Sequence, residues 1–544
     1  MTTTNESERT SRYWTRRRLG RRGLLRGAGL GVAGLAGAAL LGCGGDDSPL
    51  GESPRVGGGT ATAGATGDPV RGGELRVATI GDVKLLDPAL SLSIADSAIT
   101  QNSYDNLVMQ QHDGTIQPAL AESLTPNADL TEYVATLRPG VTFHHGKALV
   151  AQDVLHSLER IMDPATGSPG AAGLTSIDRI EAVDDLTVKF VLKAPDAFFP
   201  DALSIYQARI VPSDIDPARL GTEVFGTGPF RVVEHRGGER TRFERNEAYW
   251  DTGLPYVDAM TWFYMPEPVT RLEALKTGSV EVMYPLEAGQ LRSAESGGVV
   301  VSEQPSGTYL NLAMRLDRAP FDDIRVRRAL QRLTDREFIR EAANYGRGEV
   351  GNDHPIPPFD PHFWQGQVQP GYDPAEAKQL LDAAGFGGGL DLTLHTSTVT
   401  PGIQELALAM KELAMPAGVN ITVERASEDS YWSDVWMVEP FTTVSWNGRT
   451  ADQALSLVYL SDAPWNESQY RNPEVDDLIR RARGIADQDE RTEAYGRIEQ
   501  ILIDDVPRIV PAFMPTFLGL SSKVGGVAAH PSNWLLLNRA WLQQ

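Results

Sequence analysis

The sequence contains a single cysteine, Cys43, among its 544 residues, which excludes a disulfide bond within the chain. It also lacks a long hydrophobic run, since the weakly apolar stretch at residues 27–41 is too short to span a bilayer comfortably. Positive charge is scarce, with 50 Lys and Arg against 72 Asp and Glu. Because the resulting net charge of −22 repels a phosphate backbone, the composition argues against a nucleic-acid partner.

Motifs that mark common enzyme classes are absent as well. The sequence contains no G-x-S-x-G, no H-E-x-x-H and no phosphate-binding loop that ends in Gly-Lys-Ser/Thr. Asp and Glu are abundant, but nothing marks a catalytic pair. One match to the dinucleotide pattern G-x-G-x-x-G, at residues 29–34, follows arginines instead of a strand and is discarded. We therefore predict a protein that is not an enzyme and that needs no cofactor or metal.

The N-terminal residues predict export and a lipid anchor. Arg21 and Arg22 precede the apolar stretch, as in the charged region of a signal peptide, and Leu-Leu-Gly-Cys at residues 40–43 resembles a lipobox. In such a motif Cys43 becomes diacylated and starts the mature protein, and two acyl chains hold a protein at a membrane surface. The arginine pair favours twin-arginine export, but the further arginines at residues 16–18 leave the general export route open.

Three parts of the chain differ in composition. Residues 1–42 form the predicted signal peptide. Residues 43–72 are rich in Gly, Asp, Ser, Thr and Ala, and we expect a flexible tether because they have almost no large apolar side chain to bury. The remaining ~470 residues exceed what one hydrophobic core usually serves, so two or more domains are expected.

Strand and helix patterns are mixed along the body of the chain. A turn at Asp184-Asp185 precedes an apolar alternation through residues 186–192, which predicts a strand hairpin. Asp373-Pro374 and Asn472-Pro473 each predict the start of a helix, with a capping side chain before a proline at the first helical position. A further helix is predicted at about residues 489–504. The mixture predicts an α/β architecture.

Several separated motifs carry a resemblance to a known family. They are Leu-Asp-Pro at residues 86–88, Tyr-Asp-Asn-Leu at 104–107, Leu-Ala-Glu-Ser at 120–123, Leu-Arg-Pro-Gly-Val-Thr-Phe-His-His-Gly at 137–146, Gly-Thr-Gly-Pro-Phe at 226–230, Pro-Phe-Asp-Asp-Ile-Arg-Val-Arg at 320–327 and Asn-Pro at 472–473. In this order the chain resembles the extracytoplasmic solute-binding proteins of ABC importers, specifically the peptide, oligopeptide and nickel class, family 5. The resemblance covers nearly all of residues 73–544, although His145 stands where an Asp is usual.

The resemblance implies a two-lobed, periplasmic-binding-protein-like fold (class II, cluster C) whose lobes are joined by two hinge crossings and close around a ligand. Lobe I is expected at residues 73–305, with an extra subdomain at about 116–225, and is completed by residues 508–544. Lobe II is expected at residues 306–507. The implied function is capture of a peptide or peptide-like solute by a monomer, anchored through Cys43 on the extracytoplasmic side of the cell membrane. Separate permease and ATPase subunits would then take up the solute.

One position departs from the pattern of many peptide binders in this family. They place an aspartate shortly after a tryptophan, where it pairs with the α-ammonium of the peptide. Here Trp446 is followed by Asn447 and, at the position of that aspartate, by Arg449. A guanidinium repels an ammonium in a desolvated cleft and instead fits a carboxylate or phosphate with two hydrogen bonds. We predict a ligand with an anionic or acceptor group, or with a blocked amine; the alternative is an internal ion pair between Arg449 and Asp452.

Further candidates for ligand contact are aromatic or polar. Trp446 and Trp432 are predicted to wall a pocket, with packing inside the lobe as the alternative. Tyr309 and Asn311 lie near the predicted lobe crossing, from which side chains can reach a ligand. His354 lies on a proline-rich loop that faces either the cleft or, as the simpler expectation, the outer surface.

Other functions stay open on the sequence alone. The same two-lobed lipoprotein could report its ligand to a signalling partner instead of an importer. The ligand could also be a sugar, nickel or haem. The chain has only 9 histidines with no obvious cluster, so nickel and haem are less expected than an organic solute.

Overall fold

The computed structural model describes residues 65–543, apart from residues 66, 82, 84, 92 and 93. The predicted export signal with Arg21 and Arg22, the predicted lipidation site Cys43 and most of the predicted tether lie outside the described residues. Within the described ranges, no helix is both long enough and apolar enough to cross a membrane.

The strands of the described residues are numbered in chain order. They are β1 (Glu74–Thr79), β2 (Val108–Gln110), β3 (Ile116–Pro118), β4 (Ala121–Pro126), β5 (Glu132–Leu137), β6 (Ile177–Asp184), β7 (Thr187–Leu192), β8 (Phe230–Arg236), β9 (Arg240–Arg245), β10 (Ala259–Tyr264), β11 (Val282–Tyr284), β12 (Val300–Met314), β13 (Glu349–Val350), β14 (Leu390–Thr396), β15 (Val419–Arg425), β16 (Phe441–Trp446), β17 (Arg508–Leu520), β18 (Val524–Gly525) and β19 (Trp541–Leu542).

The helices are numbered in the same way. They are α1 (Ile94–Ser103), α2 (Ala151–Met162), α3 (Phe199–Ser204), α4 (Pro217–Leu220), α5 (Pro268–Lys276), α6 (Leu291–Ser296), α7 (Ile324–Arg332), α8 (Arg336–Asn344), α9 (Pro374–Ala383), α10 (Ile403–Ala414), α11 (Glu428–Ser430), α12 (Ala451–Val458), α13 (Pro473–Ala482) and α14 (Gln488–Asp505). A single π-helical turn, Tyr431–Val435, follows α11.

The helix starts that the sequence predicted are present. The side chain of Asp373 accepts hydrogen bonds from the first backbone N–H groups of α9, and Asn472 does the same for α13. Each helix then has a proline at its first position, where the missing N–H has no partner to lose. The predicted helix at residues 489–504 is also confirmed, as α14.

The largest sheet runs through most of the described chain. Its strand order is β15-β14-β16-β12-β17-β11-β1-β10-β9-β8, with β13 beside β17. The two longest strands, β12 and β17, lie at its centre and pair antiparallel from Val300 opposite Leu520 to Ala313 opposite Arg508. One half of the sheet therefore connects to the other only through these two strands.

The register between the two central strands is interrupted twice, between Gln304 and Thr308 near the middle of β12 and again between Leu310 and Leu312. Within the first break, the hydroxyl of Ser306 donates to the carbonyl of Met514 at 2.6 Å. Such a bulge bends a strand locally and increases its twist. It lies beside the position at which the sequence places the first lobe crossing.

A separate four-stranded antiparallel sheet has the order β4-β5-β7-β6. The hairpin between β6 and β7 confirms the predicted alternation, because Val188, Phe190 and Leu192 are buried while the residues between them are partly exposed. Helix α2 packs on this sheet, and the aromatic ring of Phe199 completes its core. The sheet lies within the range expected for the extra subdomain.

Several hydrophobic cores form instead of one. The first surrounds α8 and α10 with β14–β16, the second belongs to the four-stranded sheet, and the third joins β1 and β10 to the C-terminal segment. A fourth core packs α12, α13 and α14 against the main sheet. Division into several cores is expected for a chain of this length, since single cores stop growing beyond ~250–300 residues.

Candidate functional site

The loop that carries Arg449 lies against one of the central strands. It follows β16 and precedes α12, and Trp446 at its start is the register partner of Tyr309 on β12. Gly448 allows the close approach, because a Cβ at this position would lie 3.1 Å from the Cα of Gly307. The predicted candidates Tyr309, Trp446 and Arg449 are therefore brought together at the middle of the main sheet.

The Arg449 side chain is half-buried and stacks on two indoles. Its guanidinium carbon lies 5.2 Å from the ring centre of Trp446 and 5.6 Å from that of Trp465, distances at which cation–π attraction acts. One N–H donates to the carbonyl of Asn447 at 3.1 Å, while the rest of Asn447 is exposed. Stacking of this kind fixes the plane of the guanidinium, and within the described residues most of its N–H donors make no hydrogen bond.

Among the residues that the structure describes, no Asp or Glu forms an ion pair with the guanidinium of Arg449. Burial lowers the pKa of Arg449, and the neighbouring phenols of Tyr309 and Tyr206 act in the opposite direction. A guanidinium nevertheless keeps its proton at neutral pH, so this position presents a partly desolvated cation.

Asp452 has a different partner from the one that the alternative interpretation gave it. Its Oδ1 accepts a hydrogen bond from Nε of Arg483 at 2.7 Å, and the hydroxyl of Tyr495 lies 3.5 Å away. The reason is local: Asp452 lies in the first turn of α12 and faces Arg483 at the C-terminal end of α13. The alternative of an Arg449–Asp452 ion pair is therefore wrong, and Asp452 is a buried structural neighbour of the Arg449 loop.

Four tryptophans form a continuous row beside Arg449. The ring centres of Trp432 and Trp436 are 5.5 Å apart, those of Trp436 and Trp446 6.2 Å, and those of Trp446 and Trp465 5.7 Å. Trp432, at the outer end, is 43% exposed and follows the buried Tyr431 on the π-helical turn. Trp446 thus lies in the middle of an aromatic wall, and Trp432 lies at its solvent edge.

A buried carboxylate that the sequence did not reveal holds this wall in place. Glu467 accepts hydrogen bonds from the indole N–H groups of Trp436 at 2.6 Å and Trp446 at 2.9 Å. It also accepts from Nδ2 of Asn311 at 2.9 Å and from Nη1 of Arg508 at 2.8 Å. Burying a charge is costly unless it is paired and hydrogen-bonded, and here both conditions are met.

Glu467 also joins the wall to the centre of the main sheet. Asn311 belongs to β12 and Arg508 is the first residue of β17, so one carboxylate contacts both central strands. The predicted candidate Asn311 therefore has its side-chain N–H directed to Glu467. No sequence signal marks Glu467 or Trp465, since their partners are distant along the chain.

Tyr309 supplies a second polar group beside Arg449. Its ring is buried, and burial raises the pKa of its phenol well above the ordinary value. Within the described part of the chain, its hydroxyl has no hydrogen-bond partner. A buried hydroxyl without a partner costs free energy, which a ligand oxygen or a water molecule can recover.

His354 lies elsewhere and does not join this group. Its side chain is fully buried, with Nε2 2.7 Å from Oε1 of Gln367 and 3.8 Å from the carboxylate of Glu499. Burial lowers its pKa to about 4 and raises that of Glu499 to about 8. The expectation of a surface loop is wrong, because the buried ion pair of Asp353 with Arg336, at 2.6 Å, draws the loop inward.

The family model for bacterial extracellular solute-binding proteins, family 5 (middle region), matches residues 115–467. The chain belongs to this family. Among curated relatives, the glutathione-binding protein GsiB of Pectobacterium atrosepticum is 28% identical over 489 residues, covering 86% of this chain and 94% of the relative. Heme-binding protein A of Haemophilus influenzae is also 28% identical, over 474 residues, covering 80% and 86%.

A solved structure confirms the two-lobed, mixed α/β fold. The ABC transporter substrate-binding protein CtaP of Listeria monocytogenes superposes with a TM-score of 0.79 at 25% identity, covering 87% of this chain and 100% of that one. The resemblance inferred from the motifs is therefore confirmed at the level of family and fold. The protein is a family 5 solute-binding protein of the ABC-transporter type, and the relatives it resembles are binding proteins rather than enzymes.

Proposed function

We propose that this protein captures a peptide-like solute with an anionic or acceptor group between its two lobes and delivers it to an ABC importer. Lobe I comprises residues 73–305 and 508–544, lobe II comprises residues 306–507, and β12 and β17 are the two crossings. The protein acts as a monomer on the extracytoplasmic side of the membrane, held by acyl chains on Cys43. Since the sequence has no nucleotide-binding motif, separate permease and ATPase subunits energise the transport.

One observation carries the proposal for the ligand. Arg449 presents a partly buried guanidinium, stacked on Trp446 and Trp465, for which the described residues provide no carboxylate. An ammonium group brought to this place would meet a like charge in a site of low dielectric, which costs several kcal/mol. A carboxylate or phosphate would instead receive two parallel hydrogen bonds from the planar guanidinium.

The surroundings of Arg449 suit a ligand that combines an anion with an amide-like body. The aromatic wall offers apolar area beside the charge, as ligand sites usually do. The Tyr309 hydroxyl adds a donor for a second oxygen atom of the ligand. The name of the glutathione-binding relative is consistent with a small acidic peptide, since glutathione carries two carboxylates. The haem-binding relative has the same sequence identity to this chain, so overall identity does not indicate which ligand is bound. The proposal for the ligand therefore depends on the residues around Arg449.

A thermal-shift experiment tests the proposal on the purified protein. The probes are N-acetyl-trialanine, glutathione and trialanine amide, which has a free amine but no carboxylate. We expect the first two to raise the melting temperature and the third to leave it unchanged. A ligand at a hundredfold excess over its Kd stabilises a protein by about 2.7 kcal/mol, which such an assay resolves.

Variants at Arg449 assign the selectivity to this side chain. Arg449→Asp should lose the shift with the two anionic probes and gain one with trialanine amide, whereas Arg449→Lys should keep a weaker response to the anions. Arg539→Asp is the matched control, because it makes the same charge change at an exposed arginine of lobe I. If Arg449→Asp ranks the three probes as the unaltered protein does, the proposed role of Arg449 is wrong.

A further inference from the structure

The turn between β7 and α3 reaches from one hydrophobic core into another. Residues 195–198 leave the four-stranded sheet, and the side chain of Phe198, only 9% exposed, packs in the fourth core. The centre of its ring lies 5.3 Å from the imidazole of His362 and 6.0 Å from the ring of Tyr495. The guanidinium of Arg491 lies 5.3 Å from the same ring, within the range of cation–π attraction.

Backbone contacts accompany the buried ring. The N–H of Ala197 donates to the carbonyl of Arg483 at 2.8 Å. Arg483 is the C-cap residue of α13, where carbonyl groups lack partners within the helix and accept from outside. Pro195 lies against Gly484, the residue that follows Arg483, since a Cβ on Gly484 would be 3.3 Å from the Cβ of Pro195. The turn therefore contacts the corner between α13 and α14 through side chains and backbone together.

The residue after Phe198 faces the opposite way. Phe199 is fully buried in the core of the four-stranded sheet, with its ring centre 4.9 Å from that of Tyr133 and 5.1 Å from that of Phe190. Two consecutive phenylalanines thus pack in two different cores. Phe198 contributes little to the core of its own sheet, which makes its burial dependent on the neighbouring core.

The four-stranded sheet holds the turn in shape by itself. Within the turn, Oδ1 of Asp196 accepts a hydrogen bond from the N–H of Phe198 at 3.0 Å. The hydroxyl of Tyr133 donates to the carbonyl of Asp196 at 2.7 Å, and the N–H of Asp196 donates to the carbonyl of Leu130 at 3.0 Å. Because these partners lie within the turn itself, on β5 or just before it, the turn keeps its conformation without the fourth core. A preorganised segment binds its partner surface at a low entropic cost.

We propose that residues 195–198, which we call the latch turn, hold the two lobes in the closed form by docking on the corner between α13 and α14. The latch turn lies in the range proposed for lobe I, and its partners lie in the range proposed for lobe II. The two halves of the main sheet are linked only through β12 and β17. A hinge motion at these strands would withdraw Phe198 from the fourth core and leave the core of the four-stranded sheet intact.

The latch turn is also connected to the ligand site. Arg483, whose carbonyl accepts from Ala197, donates through its side chain to Asp452 on α12. Asp452 follows Arg449 by three residues. Arg483 therefore contacts both the latch turn and the helix that follows the Arg449 loop. The proposal rests on capture of a solute between two lobes, but it does not depend on which solute Arg449 selects.

Hydrogen exchange of the purified protein without ligand tests the latch turn directly. Phe198→Ala should speed exchange of the Ala197 amide by about tenfold or more, as the lost burial of a phenyl ring would shift a two-state equilibrium. Small-angle scattering should show a larger radius of gyration in the same variant. Phe199→Ala is the matched control. It should weaken amide protection in β5 and β7 while leaving the radius of gyration of the folded protein unchanged.

A second variant approaches the same contact from the opposite side. Gly484→Leu adds a side chain that meets Pro195 and leaves both cores intact, so it should open the protein as Phe198→Ala does. Unchanged Ala197 exchange and unchanged scattering in both variants would overturn the proposal. It would also be overturned if this amide already exchanges as an exposed amide in the unaltered protein. Because no probe is added, failure here is separate from failure of the Arg449 selectivity.

Discussion

Two glutamates in the proposed lobe II, Glu467 and Glu499, are both buried but have different kinds of partner. Glu467 accepts N–H groups from two tryptophans, an asparagine and the buried cation Arg508. Glu499 accepts from the backbone N–H of Trp364 and from Gln367, and among the described residues the one basic group paired with it is His354, at 3.8 Å. A carboxylate with a guanidinium partner can be buried charged, whereas one without a full cation is buried most cheaply with its proton.

The pKa shifts agree with this contrast for the second glutamate. Burial, together with the nearby charge of Asp360, raises the pKa of Glu499 to about 8, although the hydrogen bonds from Trp364 and Gln367 act against the shift. Burial also lowers the pKa of His354 to about 4, so both groups are neutral near pH 7. The Glu467 region therefore contains an ion pair that holds the aromatic wall, and the Glu499 region is a neutral polar core.

The largest expected effect comes from removing the charge of Glu467. Glu467→Gln leaves Arg508 buried without its anion and should lower the free energy of unfolding by about 3–5 kcal/mol. Glu499→Gln, the matched control, replaces a neutral acid by a neutral amide and should cost less than about 1 kcal/mol at pH 7. Urea unfolding of both variants measures the difference, and equal losses would contradict the contrast between the two sites.

A smaller effect is expected when one donor to Glu467 is lost. Trp446→Phe keeps an aromatic ring beneath Arg449 but removes the indole N–H, and it should cost about 1.5–3 kcal/mol, as for a hydrogen bond to a charged group. Trp432→Phe, at the exposed end of the wall, should stay within about 0.5 kcal/mol. Equal costs would mean that ring size matters here and the hydrogen bond to Glu467 does not.

The pH dependence of stability should report Glu499. Its pKa is about 8 in the folded state and ordinarily 4.5, so the folded protein binds more protons and stability falls as pH rises through this window. His354, with a folded pKa of about 4 and an ordinary value of 6.5, acts in the opposite direction up to about pH 6.5. Between pH 6.5 and 8 only Glu499, and no longer His354, changes the free energy of unfolding. It lowers this free energy by at most about 2 kcal/mol.

Unfolding curves of the unaltered protein and of Glu499→Gln at several pH values isolate this contribution. The difference in the free energy of unfolding between the two proteins should change between pH 6.5 and 8 and be constant above that range. A difference that does not vary with pH would show that Glu499 is ionised in the folded protein.

Much of the fold was predictable because its signals are local. The caps at Asp373 and Asn472 and the alternation at residues 186–192 each act within a few residues, and each is present in the structure. Part of the site was predictable through the family resemblance, which located Trp446 and Arg449. The position of His354 was not, since a proline-rich loop favours the surface. The neighbouring carboxylate of Asp353 is held inside by Arg336, Gln331 and the backbone N–H of Val510, which come from other parts of the chain.

The sequence by itself determined the class of secondary structure, the family and the unusual cation at position 449. Only the tertiary structure decided that Asp452 pairs with Arg483, that Glu467 joins four distant donors and that Phe198 and Phe199 belong to different cores. The physical reason is the range of the forces involved. Caps and alternation depend on neighbours in the chain, whereas the burial of a charge or a ring depends on which remote segments the fold brings around it.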